Sequence, residues 1–380
     1  INGDVTITGA SRAVATADPD ATLLASSRLL ILRAGLPALQ NPVRLPINVP
    51  SPISLPGNLT VTGTIETSAQ TQPGNGGAVI LSAPGSVTTG DIHTLALFPA
   101  APLGNGGEVL VNAGSRLQIG NINARSGSGL GGNIHLTSQT GAIVTGNLDS
   151  LSLGNGGGGD VTLTATQGTL STGTIAAYGN LTGVGGRISL NAGTNGIIST
   201  GNLATDNNTI AIQGAYRLNQ DVVFTNQNNT NIDIQFNGTI DGRHLLSLNA
   251  GNGIITLNGW VGRDIPLAGA NWTASLYRMA GGYVTDGAQQ IDRPIELIGD
   301  MVFGGPNATH WAFGNISAGS HRLTITADSI DFLGGANSVT GSGSLILQPA
   351  IAAQPILLGG TANTPGTLSL TKSDFAALQN

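Results

Sequence analysis

Between Gly76 and Leu203 the chain alternates apolar and free positions in five matching phrases. They read GGAVILSAPGSVTTGDI, GGEVLVNAGSRLQIGNI, GGNIHLTSQTGAIVTGNL, GGDVTLTATQGTLSTGTI and GGRISLNAGTNGIISTGNL. The second glycine of each opening pair is Gly77, Gly107, Gly132, Gly159 and Gly186, a nearly even spacing. Two residues on stand Val79, Val109, Ile134, Val161 and Ile188; two further on, Leu81, Val111, Leu136, Leu163 and Leu190. The columns between them accept anything, from Ala78 and Glu108 to Asn133, Asp160 and Arg187. Alternate residues of a strand face opposite sides. The fixed side is therefore core and the free side solvent.

A second phrase recurs in every copy. Val87, Leu117, Ile143, Leu170 and Ile198 precede a glycine by three residues, and Ile92, Ile122, Leu148, Ile175 and Leu203 follow it by two. The glycines, Gly90, Gly120, Gly146, Gly173 and Gly201, suit corners where φ is positive or another backbone comes close. Val61 to Ile65 is a partial sixth copy upstream. Each unit is too short to bury its own apolar side, and stacking makes the interior continuous. The expected fold is all-β, a parallel β-helix (β-solenoid) with glycine corners.

The remainder of the chain divides by texture. Residues 1–57 hold strand candidates at Val5 to Thr8 and Leu29 to Leu32, a turn at Ala17 to Asp20, and a proline-rich stretch from Pro37 to Pro56. Proline at that density forbids a central strand; the stretch is a loop along the flank or an arm that docks on a neighbour. The regular coils, each about 27 residues long and so within the solenoid range, occupy 58–205. The stretch 206–261 continues the solenoid with shorter coils, and Phe236 to Ile240 is echoed by Leu257 to Val261. Residues 262–320 are expected to form an irregular, aromatic-bearing insertion. Residues 321–380 return to coils, with strands at Arg322 to Ala327, Ser329 to Leu333, Ser344 to Leu347 and Gly366 to Thr371, and a helical turn or cap from Ser373 to Leu378.

Composition narrows the chemistry. Of the 380 residues 58 are glycine, but without a three-residue rhythm, so collagen is excluded. Only 9% are charged, the net charge is −6, and Lys372 is the one lysine. No basic patch exists to favour nucleic acid or an anionic membrane, and no run is apolar enough for membrane insertion. The absence of cysteine removes disulfides and thiolate metal sites and fits an exported bacterial protein. His93, His135, His244, His310 and His321 lack metal-ligand spacing. No metal and no cofactor is expected. Ile1 opens inside a strand-like phrase, so the chain reads as a trimmed or mature fragment.

The coil phrases, the Gly-Asn-Gly-Gly corners at 74–77 and 104–107, Phe236 to Gly242 and Leu248 to Gly259 resemble filamentous-haemagglutinin-like secreted bacterial surface proteins, the cyanobacterial ones most in texture. Leu368 to Phe375 resembles a phrase of giant repeat adhesins. The resemblance implies a right-handed β-helix, export through the outer membrane and a role at the cell surface.

Three functions are open. The first is a non-enzymatic, extracellular structural or adhesive rod whose partners are copies of itself. The second is a carbohydrate-binding module for surface or matrix polysaccharide, around Trp260, Trp272, Trp311 and Tyr283, with Arg263, Asp264, Asp286, Asp292, Arg293 and His310 nearby. The third is a polysaccharide lyase or hydrolase, which needs two carboxylates about 5 to 9.5 Å apart in a groove. Against the second stands the reading that the aromatic rings seal an interruption in the stack.

Overall fold

A computed structural model describes residues 5–7, 30–33 and 57–378, apart from 62, 70–73, 98–103, 181–182, 194–195, 228–230, 306, 362 and 365. The turn at Ala17 to Asp20 and the proline-rich stretch lie outside the described residues. The described chain is nearly all parallel β-strand, stacked as a β-solenoid. It divides into two compact units, residues 1–208 and 209–380.

In the first unit the five phrases are five coils. Val79 pairs with Val109, Val109 with Ile134, Ile134 with Val161 and Val161 with Ile188, all parallel and all in register. The column Val87, Leu117, Ile143, Leu170 and Ile198 pairs likewise. So does the column from Ile92 to Leu203. All fifteen side chains are 0–1% exposed. The partial copy upstream is a further coil, with Leu59 on Val87 and Ile65 on Ile92. The strand candidates near the start are Val5–Ile7, paired with Leu59–Val61, and Leu30–Arg33, paired with Val79–Ser82.

The outer columns are not free. Asn and Asp side chains there reach one coil forward and accept from its backbone. Asp91 Oδ1 accepts from the Asn121 N–H at 2.7 Å, Asn121 Oδ1 from Asn147 at 2.9 Å, and Asn147 Oδ1 from Thr174 at 2.9 Å. A second ladder runs from Asn133 to the Asp160 N–H at 2.8 Å and from Asp160 to Arg187 at 2.7 Å. The corner glycines belong to the same device. A Cβ on Gly146 would lie 2.5 Å from Asn121 Oδ1, so the missing side chain leaves room for the neighbouring carboxamide. Close approach, not positive φ, is what these corners need. The opening pairs are tighter still: a Cβ on Gly132 would stand 2.1 Å from the Gly107 carbonyl oxygen. The Gly132 N–H meanwhile donates across the coil to the Ala124 carbonyl at 2.8 Å.

In the second unit the coils shorten and vary. The register step from Val222 to Leu246 is the longer kind, and that from Tyr277 to Ile295 the shorter. The echoed phrases stack on each other, Phe236 on Leu257 and Ile240 on Val261. Residues 262–320 carry ladder strands throughout, including Leu276–Val284, Ile295–Gly304 and Ala308–Phe313. Their irregularity consists of register shifts, between Met279 and Gly281 and between Gly287 and Ala288. The four later strands form as Leu323–Thr326, Ser329–Phe332, Leu345–Gln348 and Leu368–Thr371. Two more, Val339–Gly341 and Ile356–Gly360, carry no apolar alternation in their sequence. The terminal turn is a helix, Lys372–Ala377, capped by Thr371 rather than Ser373 in a capping box with Asp374.

Replacing Asn121 by Ala is expected to cost about 1 kcal/mol, one backbone hydrogen bond to a carboxamide. Gly146→Ala costs more, and the Asn121→Ala background relieves part of that cost because the clash is with the same oxygen. Native-state hydrogen exchange of the neighbouring coils, read on both single variants and the double variant, measures the coupling. Additive effects would refute it.

Candidate functional site

The candidate lies in the second unit, at a break between two sheets. Strand Gly269–Thr273 stacks on Leu245–Asn249. The third strand of the next coil, Gly287–Ile291, stacks instead on Ala308–Phe313. These two strands end their respective sheets and do not pair with one another. Coil length explains the break. The coil from Ile255 to Tyr277, a step of 22 residues, is four residues longer than the next, a step of 18 from Tyr277 to Ile295. The shorter coil cannot lay its third strand on the one before.

Aromatic rings fill the break. Trp272 continues the inward column of Leu248, and Tyr283 stacks on it at 4.9 Å with 24° between planes. Trp311 meets Tyr283 edge-on at 5.4 Å, and Phe313 stacks on Trp311 at 5.3 Å and 3°. Phe303 packs against both, and Phe332 continues the run beyond Phe313. Such pairs contribute about 0.5–1.5 kcal/mol each beyond area burial. One tyrosine hydroxyl takes up a strand carbonyl at the break, and the other meets a side chain. Tyr277 donates to the Trp272 carbonyl at 2.9 Å, and the Tyr283 hydroxyl lies 3.4 Å from Gln289 Oε1. Burial pushes the Tyr277 phenol up to about 12, with Asp292 adding to the rise and Arg293 opposing it. Burial raises the Tyr283 phenol further.

The four sequence-predicted aromatic residues separate into three places. Trp311 is 0% exposed and Tyr283 3%. The Trp311 ring is therefore core, not a platform for sugar, because the rings that flank it exclude solvent. Trp260 lies on the outer face against Gly282 of the next coil, where a Cβ would stand 2.4 Å from the ring. Its other neighbour is the Arg263 guanidinium, 5.1 Å from the ring centroid, a cation–π contact. Trp272, half-buried, lines an open groove, with the buried Tyr283 ring behind it. The groove, of about 240 Å³, is lined by Trp272, Tyr277, Gln289, Gln290, Asp292 and Arg293 among others. The seal reading thus describes most of the aromatic section, and the groove is what the seal leaves open.

Several of the charged residues have local hydrogen-bond partners. Asp286 accepts from Asn307 at 3.1 Å, and Asp241 Oδ1 accepts from the Asp264 N–H at 3.0 Å. His310 Nδ1 lies 2.6 Å from Ser329 Oγ, with its Nε2 3.6 Å from Asp331. Three other histidines face an acid one coil away: His93 with Glu66, His135 with Glu108 and His244 with Asp221. Sequence reasoning missed these pairs because the partners lie a whole coil apart. Among the described residues no group of three His, Asp or Glu is close enough to hold a metal ion. Among them, too, no helix is long and apolar enough to cross a membrane.

Trp311→Ala is expected to cost about 3–5 kcal/mol and to lower the thermal midpoint, while Trp260→Ala changes it little. Differential scanning calorimetry of both variants distinguishes a core ring from an outer one. Alkali should weaken the second unit. The folded Tyr277 phenol holds its proton up to about pH 12, and the unfolded one releases it near the ordinary value of 10. Its stabilising contribution is complete below pH 10 and is lost as pH rises through 12. Unfolding followed by circular dichroism between pH 9 and 12 should show a slope that Tyr277→Phe reduces.

Comparison of the chain with protein-family models, with curated proteins and with solved structures gave no match.

Proposed function

We propose that this chain is a non-enzymatic structural or adhesive segment of a bacterial surface protein, and that it associates with copies of itself. The observation that carries the reading is an open apolar edge in the second unit. Among the described residues, strand Ile356–Gly360 pairs only with Leu368–Thr371 and stands at the end of its sheet. Its residues Ile356, Leu357 and Leu358 are 52%, 41% and 61% exposed in succession. Nearby in sequence, Ile346 and Ile351 are also exposed. The register shift in this strand comes only after Leu358, so Ile356 to Leu358 present a regular apolar run at a sheet edge, a template for another strand, and contiguous apolar surface marks an interaction site. Nor do charges oppose approach, since only 9% of residues carry one.

An extracellular position and polysaccharide-rich surroundings belong to the same reading. They rest on the cysteine-free, hydroxyl- and amide-rich composition and on the resemblance to secreted surface proteins.

Sedimentation and electron microscopy of the pure protein should show filaments or sheets that grow with concentration. Leu358→Lys combined with Ile356→Lys should shift the material to smaller species by at least tenfold in the concentration needed for assembly. Monodisperse particles at high concentration, or assembly indifferent to these changes, would count against self-association.

A further inference from the structure

We propose that the groove at the sheet break binds a neutral sugar residue of a polysaccharide, through Trp272, Gln289, Gln290, Asp292 and Arg293. The groove holds about 240 Å³, below the roughly 300–1,000 Å³ of sites for drug-sized ligands, and suits a single ring rather than a long chain segment. A sugar ring presents hydroxyls that both donate and accept around an apolar face of C–H bonds. Recognition therefore calls for donors and acceptors mixed at short spacing beside an aromatic side chain.

The break supplies that mixture. Trp272 and the Tyr283 ring stacked on it form the apolar wall. Strand Gly287–Ile291 and the two residues after it bring amide, carboxylate and guanidinium groups to the opposite wall. Gln290 Nε2 donates to Asp292 Oδ1 at 2.6 Å, which orients both side chains before any ligand arrives. Asp292 and Arg293 are exposed, and among the described residues Arg293 makes no ion pair. Its guanidinium donors are thus available to an incoming oxygen. The carboxylate and the guanidinium cancel in charge, which favours an uncharged ligand over a uronate or sulfated sugar.

The geometry also explains the position. Among the described residues, two other grooves lie on the second unit, one beside Leu276 and Pro294 and one beside His321 and Leu345, and neither is lined by an indole. At the break two strand edges face each other without pairing, and the gap between them is concave. A short coil therefore makes the binding surface, and the site needs no loop of its own.

The test is affinity electrophoresis of the intact chain in native gels cast with neutral glucan, mannan or galactan, and with alginate as the anionic counterpart. At least one neutral polymer should retard the protein. Asp292→Ala and Gln290→Ala, both at exposed positions, should each weaken that retardation at least tenfold with an unchanged circular dichroism spectrum. Trp260→Ala, outside the groove lining, should leave it intact. Retardation by alginate alone, by none of the polymers, or equally in all variants would overturn the proposal. Repeating the gels in the Ile356→Lys, Leu358→Lys background, which leaves the groove residues unchanged, separates the two readings: sugar binding should persist there whether or not the protein assembles.

Discussion

The structure depends on parallel pairing between coils one register step apart. Val109 contributes little as a single buried side chain. Its effect comes from lying on Val79 and beneath Ile134, so that each rung is the roof of the next. At about 25 cal/mol per Å² the burial of such aliphatic columns is the main favourable term. It is realised only when the neighbouring coil is in place, which makes stability a property of adjacent pairs. The amide ladders outside act on the same pairs. Asn121 and Asn133 each tie their own side chain to the next backbone, so the outer surface reinforces the register that the core selects.

Shape variation in the second unit follows from changes in coil length. Where successive coils match, as from Val222 to Leu246 and on to Ala270, a third sheet persists. Where the coil shortens, between Tyr277 and Ile295, the sheet stops and aromatic rings take over the volume that strands would fill. The indole nitrogens of Trp272 and Trp311 are buried without an acceptor, which costs about 1–3 kcal/mol each. Large rings are retained there in spite of that cost because nothing smaller spans the gap.

Much of this was legible in the chain. The phrases from Gly76 onward predict the coil register residue by residue, because an interior column tolerates only aliphatic side chains and so leaves an unmistakable trace. Phe236 and Leu257 betray the shorter coils in the same way. The amide ladders left no such trace. Asn and Asp serve equally, Arg187 ends one ladder with a backbone group alone, and side-chain identity at these positions looks unconstrained. The break at 273–287 was visible only as a cluster of tryptophans. Its cause is a count of residues between strands, and composition does not record that count. For the same reason the tryptophans could be grouped by sequence but not sorted into core, outer face and groove.

The break has a mechanical consequence. Under tension along the stacking direction, each coil of the first unit shares the load among three zippers of hydrogen bonds. At the step from Gly269–Thr273 to Gly287–Ile291 one zipper is missing, and side-chain contacts bridge the space. Load there concentrates on the remaining pairings, chiefly Ile254–Val261 against Leu276–Val284. That rung carries on one long ladder the load that neighbouring coils divide between sheets.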